Sequence, residues 1–264
     1  MNVSYKGNVV SSDVLTVKGY PVRQLQAAYG HPTIDGQLAN GEAYTKSKAR
    51  QVILGSQTGV RTSADWAYDE NYLYFTARVG DRTVFTDGSQ PDGVRLLLDV
   101  AYSNDTRPQQ GMFCLFFRRD GSLTAWLGSD GSWKSTDLTG IDHKVQSSKT
   151  QYVVEAAIPW SALGLAGAPT DSLLAATIEM QDRRENTTLT ERIPDARLDE
   201  SWTWMDFRLL PNPEINVIKT ISNQNQTGSD ITILPASLCG LPLAIIRDRQ
   251  SNGTVRVRKI IYKR

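Results

Sequence analysis

The residues with the clearest chemical reach are Trp202 and Trp204, set in the acidic stretch DESWTWMD at 199–206. Two residues apart on an extended strand, they point to the same side. An exposed indole ring stacks on the apolar C–H faces of a flat ligand such as a sugar ring, while neighbouring carboxylates bond its hydroxyls. The other reading is a strand whose inner face uses two large residues. The sequence leaves both open.

Other chemistries find less support. His31 and His143 are the two histidines, and neither stands in HExxH or beside a G-x-S-x-G. Cys114, within MFCLFF, and Cys239, after an apolar run, read as small core residues, and there is no CxxC. A zinc site built from these four residues is rejected. Carboxylates are plentiful, among them Asp92, Asp99, Glu155, Glu179 and Asp182, but no spacing along the chain singles out an acid/base pair for glycoside hydrolysis. Asp35, in Ile34-Asp35-Gly36, either ligates calcium through oxygen or bonds its own backbone as an Asx turn. Phosphate-cradling glycine loops are absent.

Strands must position whatever chemistry exists. Leu73–Val79, Val94–Val100, Met112–Arg118, Ser122–Leu127, Gln151–Ile158 and Leu173–Gln181 are apolar or alternating runs of strand length, with turn clusters between them. Asp120-Gly121 and Asp130-Gly131 are hairpin-closing dipeptides. Pro159 suits the first position of a short helical turn ending at Gly164. Trp66 and Trp160 read as core, whereas Trp126 and Trp133 flank the Asp130-Gly131 turn with at least one partly exposed. This spacing predicts an all-β antiparallel sandwich of jelly-roll or immunoglobulin-like form, with a small C-terminal β element.

The totals agree. The chain has 264 residues, 40% of them apolar and 22% charged, with a formal net charge of +1. That balance gives no electrostatic case for nucleic acid or an acidic membrane surface, and no apolar run approaches a membrane-spanning helix. MNVSYKGNVVSSDV has neither the basic start nor the apolar core of a secretory signal, and is expected to be the lead of a fragment. Pro211-Asn212-Pro213 breaks any continuing strand. The expected organisation is a lead-in at 1–27, a sandwich at 28–211 and a β tail at 212–264.

Several pieces together resemble the family 9 carbohydrate-binding modules over about residues 28–211. They are Pro32-Thr33-Ile34-Asp35-Gly36, Trp66–Tyr74 (WAYDENYLY), Asp92-Gly93-Val94 with Leu98-Asp99, Tyr152–Trp160 (YVVEAAIPW), and Trp202 ahead of Phe207–Leu210. The resemblance implies a non-catalytic sandwich that binds polysaccharide or oligosaccharide and is attached to other domains of secreted or cell-surface proteins of polysaccharide degradation. It implies no catalytic residue and no cofactor beyond a structural calcium. Members clamp a terminal sugar between two tryptophans, the closing one of which falls at Trp202. Its partner would lie just before Asp92, where this chain has Gln90-Pro91, and a glutamate of the clamp falls at Arg95. A sugar held here therefore calls on Trp202, Trp204, Asp182 and Arg95 in another arrangement.

Two alternatives stand beside that reading: a structural or adhesive sandwich without a glycan site, and a glycoside hydrolase. The tail, from Pro211-Asn212-Pro213 to Val255–Lys263, resembles a shortened C-terminal sorting domain of type IX secretion, which implies export and surface attachment.

Overall fold

The computed structural model describes residues 2–5, 8–12, 24–39, 41–46, 52–85, 91–170, 172–212, 229–234, 243–249 and 255–261, by backbone alone for 2–5, 8–12, 45–46 and the last three segments. Met1–Leu210 and Pro211–Arg264 form two compact units. Cys239 and Pro213 lie outside the described residues.

In the first unit, β1 (Asn2–Tyr5) and β2 (Asn8–Ser12) pair as a hairpin. The remaining strands are β3 (Gln24–Tyr29), β4 (Val52–Leu54), β5 (Arg61–Tyr68), β6 (Tyr72–Gly80), β7 (Gly93–Asp99), β8 (Met112–Arg118) and β9 (Leu123–Ser129). They continue with β10 (Ser132–Thr136), β11 (Asp142–Ser147), β12 (Tyr152–Pro159), β13 (Leu174–Arg184), β14 (Thr187–Arg192) and β15 (Met205–Leu209). They form one curled sheet in the order β10-β9-β8-β7-β13-β15-β3-β5-β6-β12-β11, with β14 on β13 and β4 on β5. The pairings are antiparallel, as expected, except that β3 runs parallel to both β15 and β5 and so joins the two halves.

The second unit is a three-stranded antiparallel sheet of β16 (Ser229–Leu234), β17 (Leu243–Arg249) and β18 (Val255–Ile261).

Period-two alternation builds the core of the sandwich. On β6, Leu73, Phe75, Ala77 and Val79 are buried in register with Ile158, Ala156, Val154 and Tyr152 of β12. On the other half, Phe117, Leu115 and Phe113 of β8 face inward beside Val94, Leu96 and Leu98 of β7. The two halves meet where Phe75 stacks on Phe117 at 5.8 Å between ring centroids. Trp66 fills the gap beside them, 5.7 Å from both Phe75 and Phe207. Each such ring, fully buried, contributes about 1.5–3 kcal/mol.

Local signals fix the connections. Asp130 and Gly131, at φ 52° and 82°, close the β9–β10 hairpin with the paired left-handed residues a tight turn requires. Pro159 ends β12 and leads into the 3₁₀ turn Trp160–Leu163, which Gly164 closes at φ 75°. Buried Trp160 donates its indole N–H to the Asp69 carbonyl at 3.0 Å, tying that turn to the β5–β6 connection.

Candidate functional site

Alternation leaves a second face on β13, where Thr177, Glu179, Gln181 and Arg183 alternate with the core residues Ile178 and Met180. Strand register then lays out the surface. One row runs Arg192, Glu179, Arg95, Phe116 and Thr124 across β14, β13, β7, β8 and β9. On one side lies the row Thr190, Gln181, Gly93 and Arg118. On the other, Thr177, Leu97, Cys114, Trp126 and Ser135 run out to β10, with Gly128 and Trp133 paired beyond them.

The middle row is a charged ladder over one aromatic ring. Glu179 lies 2.6 Å from Arg95 Nη1 and 2.9 Å from Arg192 Nη2. The guanidinium carbon of Arg95 sits 4.1 Å from the Phe116 ring centroid and that of Arg118 5.6 Å from it. Phe116 reaches this position because Gly93 has no side chain: a Cβ there would meet Phe116 Cε2 at 2.5 Å. Burial pushes the nearby Cys114 thiol up to about 12, so it is a neutral part of the floor.

The tryptophan end is built by loops. Trp133 donates its indole N–H to Asp199 Oδ1 at 2.7 Å, and Asp105 donates its N–H to Ser201 Oγ at 2.9 Å. Between these anchors Ser201–Thr203 forms a 3₁₀ turn. Trp202 on that turn is 53% exposed, its N–H donated to Glu200 Oε2 at 2.8 Å. Glu200 is held in turn by Arg197 Nη1 at 2.9 Å. An exposed indole oriented by its own edge is a stacking surface.

Two of the expected site residues belong elsewhere. Trp204 does not share a face with Trp202, because the segment is a 3₁₀ turn and not an extended strand. It is 7% exposed and donates to the Arg197 carbonyl at 2.6 Å. Asp182 is on the inner side of β13, opposite Glu179 and Gln181, since it stands an odd number of residues from both. It is buried, 2.9 Å from Arg184 Nε, and grouped with Asp81 and Asp92 within 4.8 Å. Arg119 is the counter-ion of that group, 2.8 Å from Asp81 and 3.5 Å from Asp92, so the cluster is an internal charge network away from the outer face. Burial pushes the Asp92 carboxyl up to about 6, with its bonds to the Phe85 and Arg183 N–H groups opposing. Arg95 remains on the outer side, and Trp202 is exposed on its loop. Glu179, Arg192, Phe116, Arg118 and Trp133 join them through register alone, which no local spacing reveals.

Asp35 closes an Asx turn, its Oδ1 accepting the Gln37 N–H at 2.7 Å. The Asp35 and Gly36 N–H groups donate to Glu155 Oε2 at 3.1 and 2.8 Å. Glu155 alternates with core residues of β12, so it and Glu179 point away from the core on opposite halves and form no acid/base pair. His31 lies 2.7 Å from Asp69, which also accepts the Tyr74 hydroxyl, a surface latch with no nucleophile among its described partners.

Comparison with known proteins identifies this architecture. The family model "Carbohydrate family 9 binding domain-like" matches residues 34–204. Exoglucanase XynX of Acetivibrio thermocellus is 27% identical over 195 residues, 70% of this chain and 16% of that protein. Endo-1,4-beta-xylanase A of Thermotoga maritima is 28% identical over 193 residues, 69% of this chain and 16% of that protein. The chain thus spans about a sixth of the curated relatives it matches. Among solved structures, a family 9 carbohydrate-binding module from Caldicellulosiruptor kristjanssonii in complex with cellotriose superposes at TM-score 0.60 and 16% identity, over 76% of this chain and all of that one. The same module in complex with glucose gives 0.57 and 16%, over 74% and 98%. The fold is their β-sandwich, and the chain belongs to the family 9 carbohydrate-binding domain-like proteins.

Proposed function

We propose that this chain is a non-catalytic carbohydrate-binding module serving an extracellular protein of polysaccharide degradation. It holds a saccharide on the outer face between Trp202 and the Arg95–Glu179–Arg192 ladder. The observation that carries this reading is the half-exposed ring of Trp202 on a loop anchored to Trp133 of β10, in the same half of the sheet as that ladder. Stacking on the ring supplies apolar contact, and the guanidinium and carboxylate groups supply directed bonds to hydroxyls. Carried on a larger protein, such a module raises the concentration of its neighbours at the polymer. Family membership and the sugars named with the solved modules support the assignment.

The test is isothermal titration of the full chain against cello-, xylo- and chito-oligosaccharides, beside Trp202→Ala. Heat from wild type that disappears in the variant is the expected result. A folded wild-type chain silent toward every glycan would transfer the assignment to a structural or adhesive sandwich, which the absence of an aromatic at Gln90-Pro91 favours.

A further inference from the structure

The outer face is unbalanced in charge where it meets solvent. Arg95, Arg118 and Arg192 converge on it from three strands, and two of them share one carboxylate. That carboxylate, Glu179, is sunk at 2% side-chain exposure, while Arg95 and Arg192 are 20% and 35% exposed above it. Negative charge is therefore below and positive charge outermost. Arg118 is the third cation, and its Nε is buried with no hydrogen-bond partner among the described residues.

Among the described residues, the other acids near these groups have their oxygens bonded by neutral donors. Asp120 lies in the field of Arg118, but its carboxylate accepts the Ser122 N–H at 2.8 Å and the Ser122 hydroxyl at 2.7 Å. Asp199 is taken by the Trp133 indole. Asp99, on the same face, accepts the N–H groups of Ala101 and Ser103. Two guanidinium groups, those of Arg95 and Arg118, thus lie against one ring, Phe116, and repel each other in a partly dry setting, while Glu179 pairs with Arg95 and Arg192. A planar oxyanion from outside relieves that repulsion and meets the forked donors that arginine presents.

We propose that the saccharide bound on this face is acidic, and that its anionic group, a uronate carboxylate or a sulfate ester, seats between Arg118 and the Arg95–Arg192 pair. The proposal rests on the glycan-binding reading above and names the ligand class for it. Arg118, half-buried, supplies a third guanidinium on the ring, and Arg95 and Arg192, fixed by Glu179, supply a preset positive field.

The experiment titrates the full chain with a glucuronic-acid-bearing xylo-oligosaccharide and its neutral counterpart of equal length, then with trigalacturonate and a sulfated galactan fragment. A uronate preference of about tenfold is expected, the value of one well-made charged contact. Raising salt from about 20 to about 300 mM should erase most of that preference while leaving neutral binding nearly unchanged. Arg118→Gln should bring the acidic-to-neutral ratio close to one. The salt series on wild type reads the same property without any variant. Tighter binding of the sulfated fragment than of uronate upholds the proposal with sulfate as the group. Neutral and acidic ligands binding equally, with binding intact, overturns it and leaves the glycan reading standing. Silence toward both kinds of sugar overturns both.

Discussion

Thr58 gives Glu191 two bonds at once, its N–H at 2.9 Å and its hydroxyl at 2.7 Å both ending on Oε2. Gln57 N–H adds a third to that oxygen, while Oε1 takes Gly55 N–H, Ser56 N–H and the Ser56 hydroxyl. One carboxylate on β14 therefore closes the 55–58 loop. Burial opposes its ionisation, but these bonds outweigh it and hold the carboxyl at about 2. Glu191→Ala is expected to lower stability by about 3 kcal/mol, since it orphans several donors together, with Glu191→Gln intermediate. Because the folded value lies below the unfolded one, this contribution is full above pH 4.5 and fades as pH falls toward 2. Urea melts of the three proteins at neutral pH and at acid pH check both statements.

Trp202 and Trp204 separate binding from folding. Trp202→Ala should weaken glycan binding by about tenfold or more with stability within about 0.5 kcal/mol of wild type. Trp204→Ala should destabilise by about 3–5 kcal/mol through the cavity it leaves. Equal stability losses in the two variants would contradict the assignment of their environments.

Glu155 predicts an opposite pH effect. Burial raises its carboxyl to about 7, with the Gly36 and Asp35 N–H groups opposing. A raised acid stabilises most below its unfolded value, so its contribution is full below pH 4.5 and is lost as pH rises through about 7. Thermal melts of Glu155→Gln should therefore gain on wild type steadily between those limits. Parallel melting curves of the two proteins over that range would remove Glu155 as the cause.

Gly93→Ala tests the Phe116 seat. The new methyl would also stand 2.7 Å from the Phe117 carbonyl oxygen, which the β7–β8 ladder fixes. A loss of about 1–3 kcal/mol is expected, together with displacement of the Phe116 ring, seen as altered salt dependence of binding.

The strands were readable because their signals are local. Leu73–Val79, Met112–Arg118 and Gln151–Ile158 carry their own apolar runs, and the observed β6, β8 and β12 cover them to within a residue or so. Trp66 and Trp160 are buried as their contexts implied, and Trp126 and Trp133 are half-buried. The site was legible only in parts, because it is made across strands. Arg95 and Glu179 stand 84 residues apart and meet through register. Trp204 and Asp182 went elsewhere for a related reason: a single 3₁₀ turn, or one step along a strand, reverses the side a residue faces. The PTIDG and YVVEAAIPW pieces read as separate signatures in the sequence. In the fold they are one structure, joined where Glu155 accepts the Asp35 and Gly36 N–H groups.

The position of β3 has a consequence for how the sandwich comes into being. Its residues pair with β15, made some 180 residues later, and the β15–β3–β5 seam is where the two halves of the sheet join. A growing chain can zip the β5–β6 and β7–β8–β9 hairpins early, yet the seam stays open until Met205–Leu209 has been synthesised. Loop closure over that span is slow and exposes apolar strand faces while it waits. A chain stopped short of residue 205 should accordingly accumulate as collapsed, aggregation-prone material instead of a smaller sandwich.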